Sequence, residues 1–414
     1  MKKRVLLVTN GFPFGESERS FLGEEVKQLT QQFHLDVLAP ENQDPLSYPT
    51  DGLQRIRRYA SSKSFRSSGL AEILTCLFSP AVWKEFWQQL KHFHFRGVLR
   101  SYIRTVYAFH QARGIAKQIE AMVEESPIDI IYTYWCAVYT LAALLVKKKH
   151  SQIKVITRFH GYDLYNERSV IGWQSFRAEI SKGCDRLVFA CEAGRDYYLS
   201  HWGQQWAGKS VVAYLGCAPL TQVLRQDTEQ LTLVSCSYAI PLKRIHLIIE
   251  ALALLPETLE VEWHHIGDGS ELDNLKQLAS HRLTAHTNLS WKFWGFIPNH
   301  QLNDLYQQIQ PQLFITTSST EGGAPISIQE AFSAKIPAIG TAAGGISELI
   351  QTGETGYLLS QNPDPFEITE KIAAFWDLSP QEKQQMGENA YALWRTKLDA
   401  KKNAESFCEL LKGL

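Results

Sequence analysis

Cysteine is scarce and unpaired in this 414-residue chain: seven residues, an odd number, with no C-x-x-C spacing. That pattern excludes a disulfide framework and argues against a structural zinc site. Cys136, Cys191 and Cys236 sit in apolar runs, as buried thiols in a reducing compartment do. Long apolar runs are missing too. None approaches the ~18 residues that a membrane span needs. The VLLV behind MKKR is too short for a signal-peptide core and reads as a first strand. The expected location is the cytoplasm. There is no low-complexity tract, no repeat with a period of roughly 20–50 residues, no D-x-D pair placed for a metal, and no convincing nucleophile–base pair.

Net charge is nearly absent as well, at −1, but the average hides an asymmetry. Residues 54–113 hold eleven Lys and Arg against Glu72 and Glu85, a surplus of nine. The same segment contains KEFWQQLKHFHFRGVLRSYIR, which interleaves aromatics with the basic residues. Two readings stand for it: an exposed basic helix covering part of the core, or a surface for an anionic membrane or lipid-linked ligand. No nucleic-acid-binding motif accompanies it, so no nucleic acid is expected.

What is present is alternation. RVLLVT, LDVLAP, IDIIYTYW, KVITRFHG, DRLVFACE and VVAYLG read as short strands separated by helical patterns. TQVLRQDTEQ (221–230) is the best linker, and the alternation restarts with LTLVSCS, VEWHHIG, LSWKFWG, QLFITTS, IPAIGT and GYLLS. Such chains make parallel sheets with helices on both faces. The length favours two domains, expected over 1–220 and 221–395, with a helix at about 396–414 packing back on the first. The fold class expected is α/β, two Rossmann-like doubly wound domains facing a central cleft, with ligands at the strand carboxyl ends.

The candidate residues cluster at those ends. Lys243 and Arg244 follow a strand and open a helix, where two cations oppose the helix dipole unless an anion sits there. A solvated pair is the plain alternative. Gly267 and Gly269 occupy a strand-to-helix turn, a weak signal alone. In TSSTEGGAPISIQEAF, Gly322 and Gly323 free the backbone, Pro325 suits a first helical turn, and the amides of Ile326 and Ser327 open a helix. Glu330 lies along that helix, where a carboxylate can accept two hydrogen bonds from a ribose diol. Glu348, in AAGGISELI, is expected in the first turn of a helix, complementing its dipole. In the first half, Gly11 and Gly15 lie in the loop after the first strand, and His160, Gly161 and Asp163 follow another strand. His160 is either a site residue or a core histidine satisfied by backbone.

HGYDLY (160–165), PLKR (241–244), HIGDGSELDNL (265–275), WGFIPNHQLNDLY (294–306), EGGAPISIQEA (321–331) and GTAAGGISELI followed by GETGYLL form an ordered set. Together they resemble glycosyltransferase family 4, whose members have the GT-B fold, and most closely its bacterial capsule, exopolysaccharide and O-antigen enzymes. The resemblance implies a retaining, metal-independent transferase that moves a sugar from a UDP- or GDP-sugar to a glycan or polyprenyl-linked saccharide acceptor. It implies no cofactor. Lys243, with Arg244 assisting, binds the donor diphosphate; Glu330 holds the ribose; Glu321 touches the donor sugar. Gly15, Gly267, Gly323 and the backbone of Ala324, Pro325, Ile326 and Ser327 complete the donor contacts, and His160 faces the transferred sugar. In that reading segment 54–113 contacts the acceptor or the inner face of the cell membrane. Two positions depart from the family pattern. Tyr238 stands where an arginine is usual, and Glu321 and Glu330 are nine residues apart rather than eight. A non-catalytic partner subunit and a GT-B sugar-nucleotide epimerase are the alternative readings.

Overall fold

Apolar runs bounded by glycine, proline and polar residues become parallel strands, and the amphipathic stretches between them become the covering helices. The computed structural model describes residues 2–15, 18–41, 44–59, 70–93, 97–223 and 229–414. It divides into two units, Met1–Ala213 with Ala404–Leu414, and Tyr214–Asn403.

In chain order the first unit contains β1 (Arg4–Val8), α1 (Arg19–Gln32), β2 (His34–Pro40), β3 (Leu53–Tyr59), α2 (Leu70–Leu77), α3 (Pro80–Phe93) and α4 (Val98–Glu125). It continues with β4 (Ile130–Thr133), α5 (Val138–Lys147), β5 (Lys154–Phe159), α6 (Gly161–Leu164), α7 (Arg177–Gly183), β6 (Arg186–Phe189), α8 (Glu192–Trp202) and β7 (Ser210–Val212). The second unit contains β8 (Gln230–Cys236), α9 (His246–Leu252), β9 (Glu260–Ile266), α10 (Leu272–Leu283), β10 (Leu289–Phe293) and α11 (Asn299–Ile309). After these come β11 (Leu313–Thr316), α12 (Ile326–Ser333), β12 (Ala338–Thr341), β13 (Gly356–Leu359), α13 (Pro365–Trp376) and α14 (Pro380–Leu393); the last helix, α15 (Ala400–Lys412), begins in the second unit and from Ala404 onward belongs to the first.

The first sheet has the order β3-β2-β1-β4-β5-β6-β7 and the second β10-β9-β8-β11-β12-β13. Every strand pair in both is parallel. In each sheet the winding reverses once, between β1 and β4 and between β8 and β11. A reversal of this kind leaves a crevice outside the carboxyl ends of the two central strands, because their connections depart in opposite directions. The loops after β1, β4, β8 and β11 are therefore where ligand-binding residues belong.

One strand escaped the sequence reading. β3 is LQRIRRY, an edge strand inside the basic segment, and its charges hide the apolar alternation. Arginines on an edge discourage pairing with other chains. They are also consumed locally. Arg55 meets buried Asp36 of β2 at 2.5 Å and Glu125 of α4 at 3.4 Å, Arg57 pairs with Glu125, and Arg58 lies 3.7 Å over the Phe14 ring. Lys84 pairs with Glu179. Much of the local positive surplus is thus folding chemistry rather than a uniform basic face. Residues 60–69 and 94–96 of that segment, with Lys63, Arg66 and Arg96, lie outside the described residues.

All seven cysteines are free, and six are buried. Among the described residues no helix is long and apolar enough to cross a membrane.

Candidate functional site

In the second unit the loops after β8 and β11 are stitched together at the switch point. The chain after β8 makes a short 3-10 turn at Pro241–Lys243. Ser319 N–H donates to Leu242 O (2.9 Å), and Thr317 Oγ1 donates to the carbonyls of Lys243 and Arg244 (both 3.0 Å). Arg244, at φ 47°, turns its guanidinium inward: Nε donates to Thr317 O (2.7 Å), Nη2 to Gln361 O (2.8 Å) and Nη1 to Asn362 Oδ1 (3.0 Å). A guanidinium so engaged braces the two loops. Lys243 is left to point at Glu321, and its Nζ lies 2.5 Å from Oε1. Tyr238 is 63% exposed, so it substitutes no cation and fills no core position.

The nine-residue spacing from Glu321 to Glu330 is absorbed in the loop before α12. Pro325 takes the N-cap position rather than the first helical one. The amides of Ile326 and Ser327 then open the helix, where first-turn N–H groups have no intrahelical acceptor. Gly323 and Ala324 lie in the loop, with Ala324 O accepting from Gln329 Nε2 (2.8 Å). The loop is held from below by Gly344 and Gly345. A Cβ at Gly344 would stand 2.1 Å from Glu321 O, and one at Gly345 2.6 Å from Gly323 O. Backbone packs on backbone there, and no side chain fits between.

Glu330 is buried on α12. Its Oε1 accepts from Asn299 Nδ2 at 2.7 Å, the one hydrogen bond to the carboxylate among the described residues. Burial pushes its pKa up to about 7, with the Asn299 hydrogen bond opposing. Both Glu330 and Lys243 act electrostatically on Cys236, the last residue of β8, so the two lie around one strand end. Gly267 and Gly269 have a structural explanation. A Cβ at Gly267 would come 1.8 Å from Ser237 O and one at Gly269 2.4 Å from Ala239 O, because the turn after β9 lies directly on the backbone after β8. Ala239 N–H donates to Asp268 O (2.9 Å) across that contact.

Glu348 corrects its expectation. It ends a five-residue 3-10 turn, Gly344–Glu348, instead of starting an α-helix, and it accepts from Tyr214 Oη at 2.5 Å. It ties the start of the second unit to the β12 loop.

The first unit builds its switch point from side chains. Buried Glu18 accepts from Phe12 N–H (2.6 Å) and Asn10 N–H (3.2 Å), holding the loop after β1, and also from Trp135 Nε1 after β4. The Trp135 ring lies 4.3 Å from the His160 ring and the Tyr134 ring 4.6 Å from it. His160 Nε2 faces Tyr134 O at 3.0 Å; a carbonyl only accepts, so Nε2 carries the proton. Burial first, then the Arg158 charge, lowers the His160 pKa to about 3, and the imidazole is neutral at physiological pH. Asp163 Oδ1 accepts from His160 N–H and its Oδ2 from Cys136 N–H, both at 2.6 Å. Burial pushes the Asp163 pKa up to about 7, against the Arg177 charge and these amide bonds. Gly15, at φ 69°, donates to Pro45 O (3.0 Å) and accepts from Ser47 Oγ, so it is tied to the 44–47 segment.

Within each unit, then, some expected residues converge: Lys243, Glu321 and Glu330 at one switch point, His160 and Asp163 at the other. Glu18, Trp135 and Asn299 carry much of the geometry and were not singled out beforehand. Their motifs, GESE, YTYW and PNHQ, were visible, but a lone acid, ring or amide has no spacing that announces a role.

Two parallel-sheet Rossmann-like units, each with its switch point, are the makings of the GT-B fold. The fold is shared at a TM-score of 0.68 with Anabaena Alr3699/HepE in complex with UDP and glucose, 17% identical with both chains fully covered. It is shared at 0.71 with the sucrose-phosphate synthase of Thermosynechococcus elongatus, 14% identical, covering 100% of this chain and 99% of that one. Residues 220–393 match the family described as glycosyl transferases group 1. It is also similar to two bacterial proteins. One is the N-acetyl-alpha-D-glucosaminyl L-malate synthase of Bacillus anthracis, 22% identical over 59% of this chain and 65% of that protein. The other is the putative colanic acid biosynthesis glycosyltransferase WcaL of Salmonella typhimurium, 22% identical over 54% of this chain and 55% of that protein. The match thus spans less than two thirds of either relative.

Proposed function

We propose that this protein is a retaining glycosyltransferase that uses a nucleotide-sugar donor, a UDP- or GDP-sugar, and acts on a glycan or lipid-linked saccharide in surface polysaccharide biosynthesis. The observation that carries the reading is the Lys243–Glu321 ion pair at the second switch point, beside the amino end of α12 and within one strand end of Glu330. WcaL adds support, being named a putative glycosyltransferase of colanic acid biosynthesis, and Alr3699/HepE holds UDP and glucose.

In this reading the ion pair is a placeholder. A diphosphate carries more negative charge than one carboxylate, so it displaces Glu321 from Lys243 and lies against the α12 amides as well. Glu321 is then released to accept hydrogen bonds from the donor sugar. Glu330, anchored at one oxygen by Asn299, has the other for the ribose diol. As the bond from the sugar's anomeric carbon to phosphate breaks, charge develops on the leaving phosphate, where Lys243 and the amides already stand. The acceptor oxygen bonds to the anomeric carbon on the same face, and its proton passes to the departing phosphate oxygen. No protein base is needed, which suits a His160 that is neutral and has both ring nitrogens engaged by backbone, Nε2 with Tyr134 O and the other with Asp163 N–H: it meets the sugar by ring contact rather than as a base. Arg244 contributes indirectly, by holding the Lys243 loop. No metal takes part in this scheme, so transfer is expected to persist in excess EDTA. Exposed Phe78, just after α2, and Trp83 and Trp87 on α3 suit contact with an anionic membrane surface.

Calorimetry with UDP, GDP, ADP and TDP in EDTA tests the donor site. Micromolar binding of one of them, lost in Lys243→Ala and Glu330→Ala, supports the reading. Binding of none would transfer support to a non-catalytic partner subunit.

A further inference from the structure

The first unit contains a cavity of about 640 Å³ that the donor chemistry does not use. It lies between α4, α5 and the segment leading into α7, and its volume is that of a small-molecule site. Ile103, Tyr107, Val138, Leu141, Ile171 and Phe176 supply the character of the lining, and no Asp or Glu lines it. Most of the polar wall groups have spent their hydrogen bonds elsewhere. Gln174 Nε2 donates to the carbonyls of Tyr162 (2.8 Å) and Tyr165 (3.0 Å). Arg177 Nη1 reaches Cys136 Sγ (2.8 Å) and its Nη2 reaches the carbonyls of Cys136 and Asp163, leaving Nε as one unpaired point. A sugar would find few partners here, and polar hydroxyls buried without them are disfavoured.

The mouth differs from the interior. Ile103 and Val170 are 57% and 69% exposed, and Leu99, one turn before Ile103, is 72% exposed. Beside this apolar lip stand Arg100 and Arg104, four residues apart on one face of α4, exposed and without an ion-pair partner among the described residues. An apolar interior, an apolar lip and two unpaired cations at the rim match an amphiphile with a hydrocarbon chain and an anionic head. The cavity also shares a wall with the His160 turn, since Arg177 and Gln174 are bonded to residues 162–165.

We propose that this cavity holds the hydrocarbon chain of an isoprenoid-phosphate-linked acceptor, its phosphate at Arg104 and Arg100. The proposal deepens, and rests on, the reading of the acceptor as lipid-linked. It commits to a single chain entering the protein, as distinct from the protein lying on a bilayer.

The test is calorimetry of the whole protein with monomeric farnesyl phosphate, farnesol and inorganic phosphate, alongside flotation with phosphatidylglycerol vesicles. Ala108→Trp fills the cavity, and Ile103→Asp, at an exposed position, alters the lip without endangering the fold. Farnesyl phosphate is expected to bind, inorganic phosphate not to, and each variant to weaken farnesyl phosphate at least about 10-fold with vesicle flotation unchanged. Arg104→Glu is expected to weaken farnesyl phosphate about 5-fold and farnesol hardly at all. Unchanged farnesyl phosphate affinity in both lip and cavity variants overturns the proposal. So does a parallel loss of vesicle flotation, which would assign the effect to a membrane surface. UDP titrated into the same samples separates the two ideas, because loss of UDP binding strikes the donor reading while farnesyl phosphate still decides the cavity.

Discussion

The two switch points solve the same positioning problem with different materials. In the second unit the loops are shaped by backbone against backbone: Gly267 and Gly269 under residues 237–239, Gly344 and Gly345 under 321–324. In the first they are shaped by side chains, with buried Glu18 gathering two amides and the Trp135 indole, and Trp135 and Tyr134 beside His160. A backbone-built site tolerates only glycine at its contacts and so writes a spaced motif into the chain. A side-chain-built site uses single residues far apart in sequence that fold together, and leaves no such mark.

If that contrast is right, substitutions should separate cleanly. The largest effect is expected for Lys243→Ala: a fall of about 10²–10³-fold in transfer kcat/KM, with UDP affinity lost by calorimetry and melting behaviour retained. Retained UDP affinity would remove Lys243 from the donor site. Next comes Gly267→Ala, where a Cβ would need to stand 1.8 Å from Ser237 O at a backbone φ of 139°. It is expected to destabilise the second unit by about 3 kcal/mol or more in denaturant unfolding. A value near zero would mean that the loops are not packed as tightly as described.

The third prediction is a pH dependence. Glu330 has its pKa raised from an ordinary carboxyl value to about 7, so the folded state holds a proton that the unfolded chain releases. Its contribution is fully present below the unfolded value and disappears as pH rises through about 7. Between roughly pH 4.5 and 7, stability should decline by about 2–3 kcal/mol from this group. Glu330→Gln should flatten that slope in thermal melts; an unaltered slope would assign it elsewhere, with Asp163, raised in the same direction, the first suspect.

The smallest effect is expected for Glu18→Gln. The new amide presents a donor to the N–H of Phe12 or Asn10, which should cost the first unit about 1–3 kcal/mol. Near-ultraviolet circular dichroism should report the altered Trp135 surroundings, with UDP affinity unchanged. An equal loss of UDP affinity would show that the two regions are not independently built.

The sequence by itself determined the alternation of strands and helices, and with it the parallel sheets. Buried parallel strands must be apolar along their length, so each declares itself. It also marked the glycine-rich loops and Lys243, Glu321 and Glu330, because packing backbone on backbone restricts residue type at fixed spacing. Tertiary structure alone decided the rest. β3 was hidden because an edge strand can carry arginines whose partners, Asp36 and Glu125, lie about 20 and 70 residues away. Adjacent cations looked alike until folding turned Arg244 inward onto carbonyls and left Lys243 facing Glu321. The role of Glu18 and the cavity above Arg177 arise from contacts between distant segments. Such contacts restrict no residue by its neighbours in the chain, and only the folded backbone brings them together.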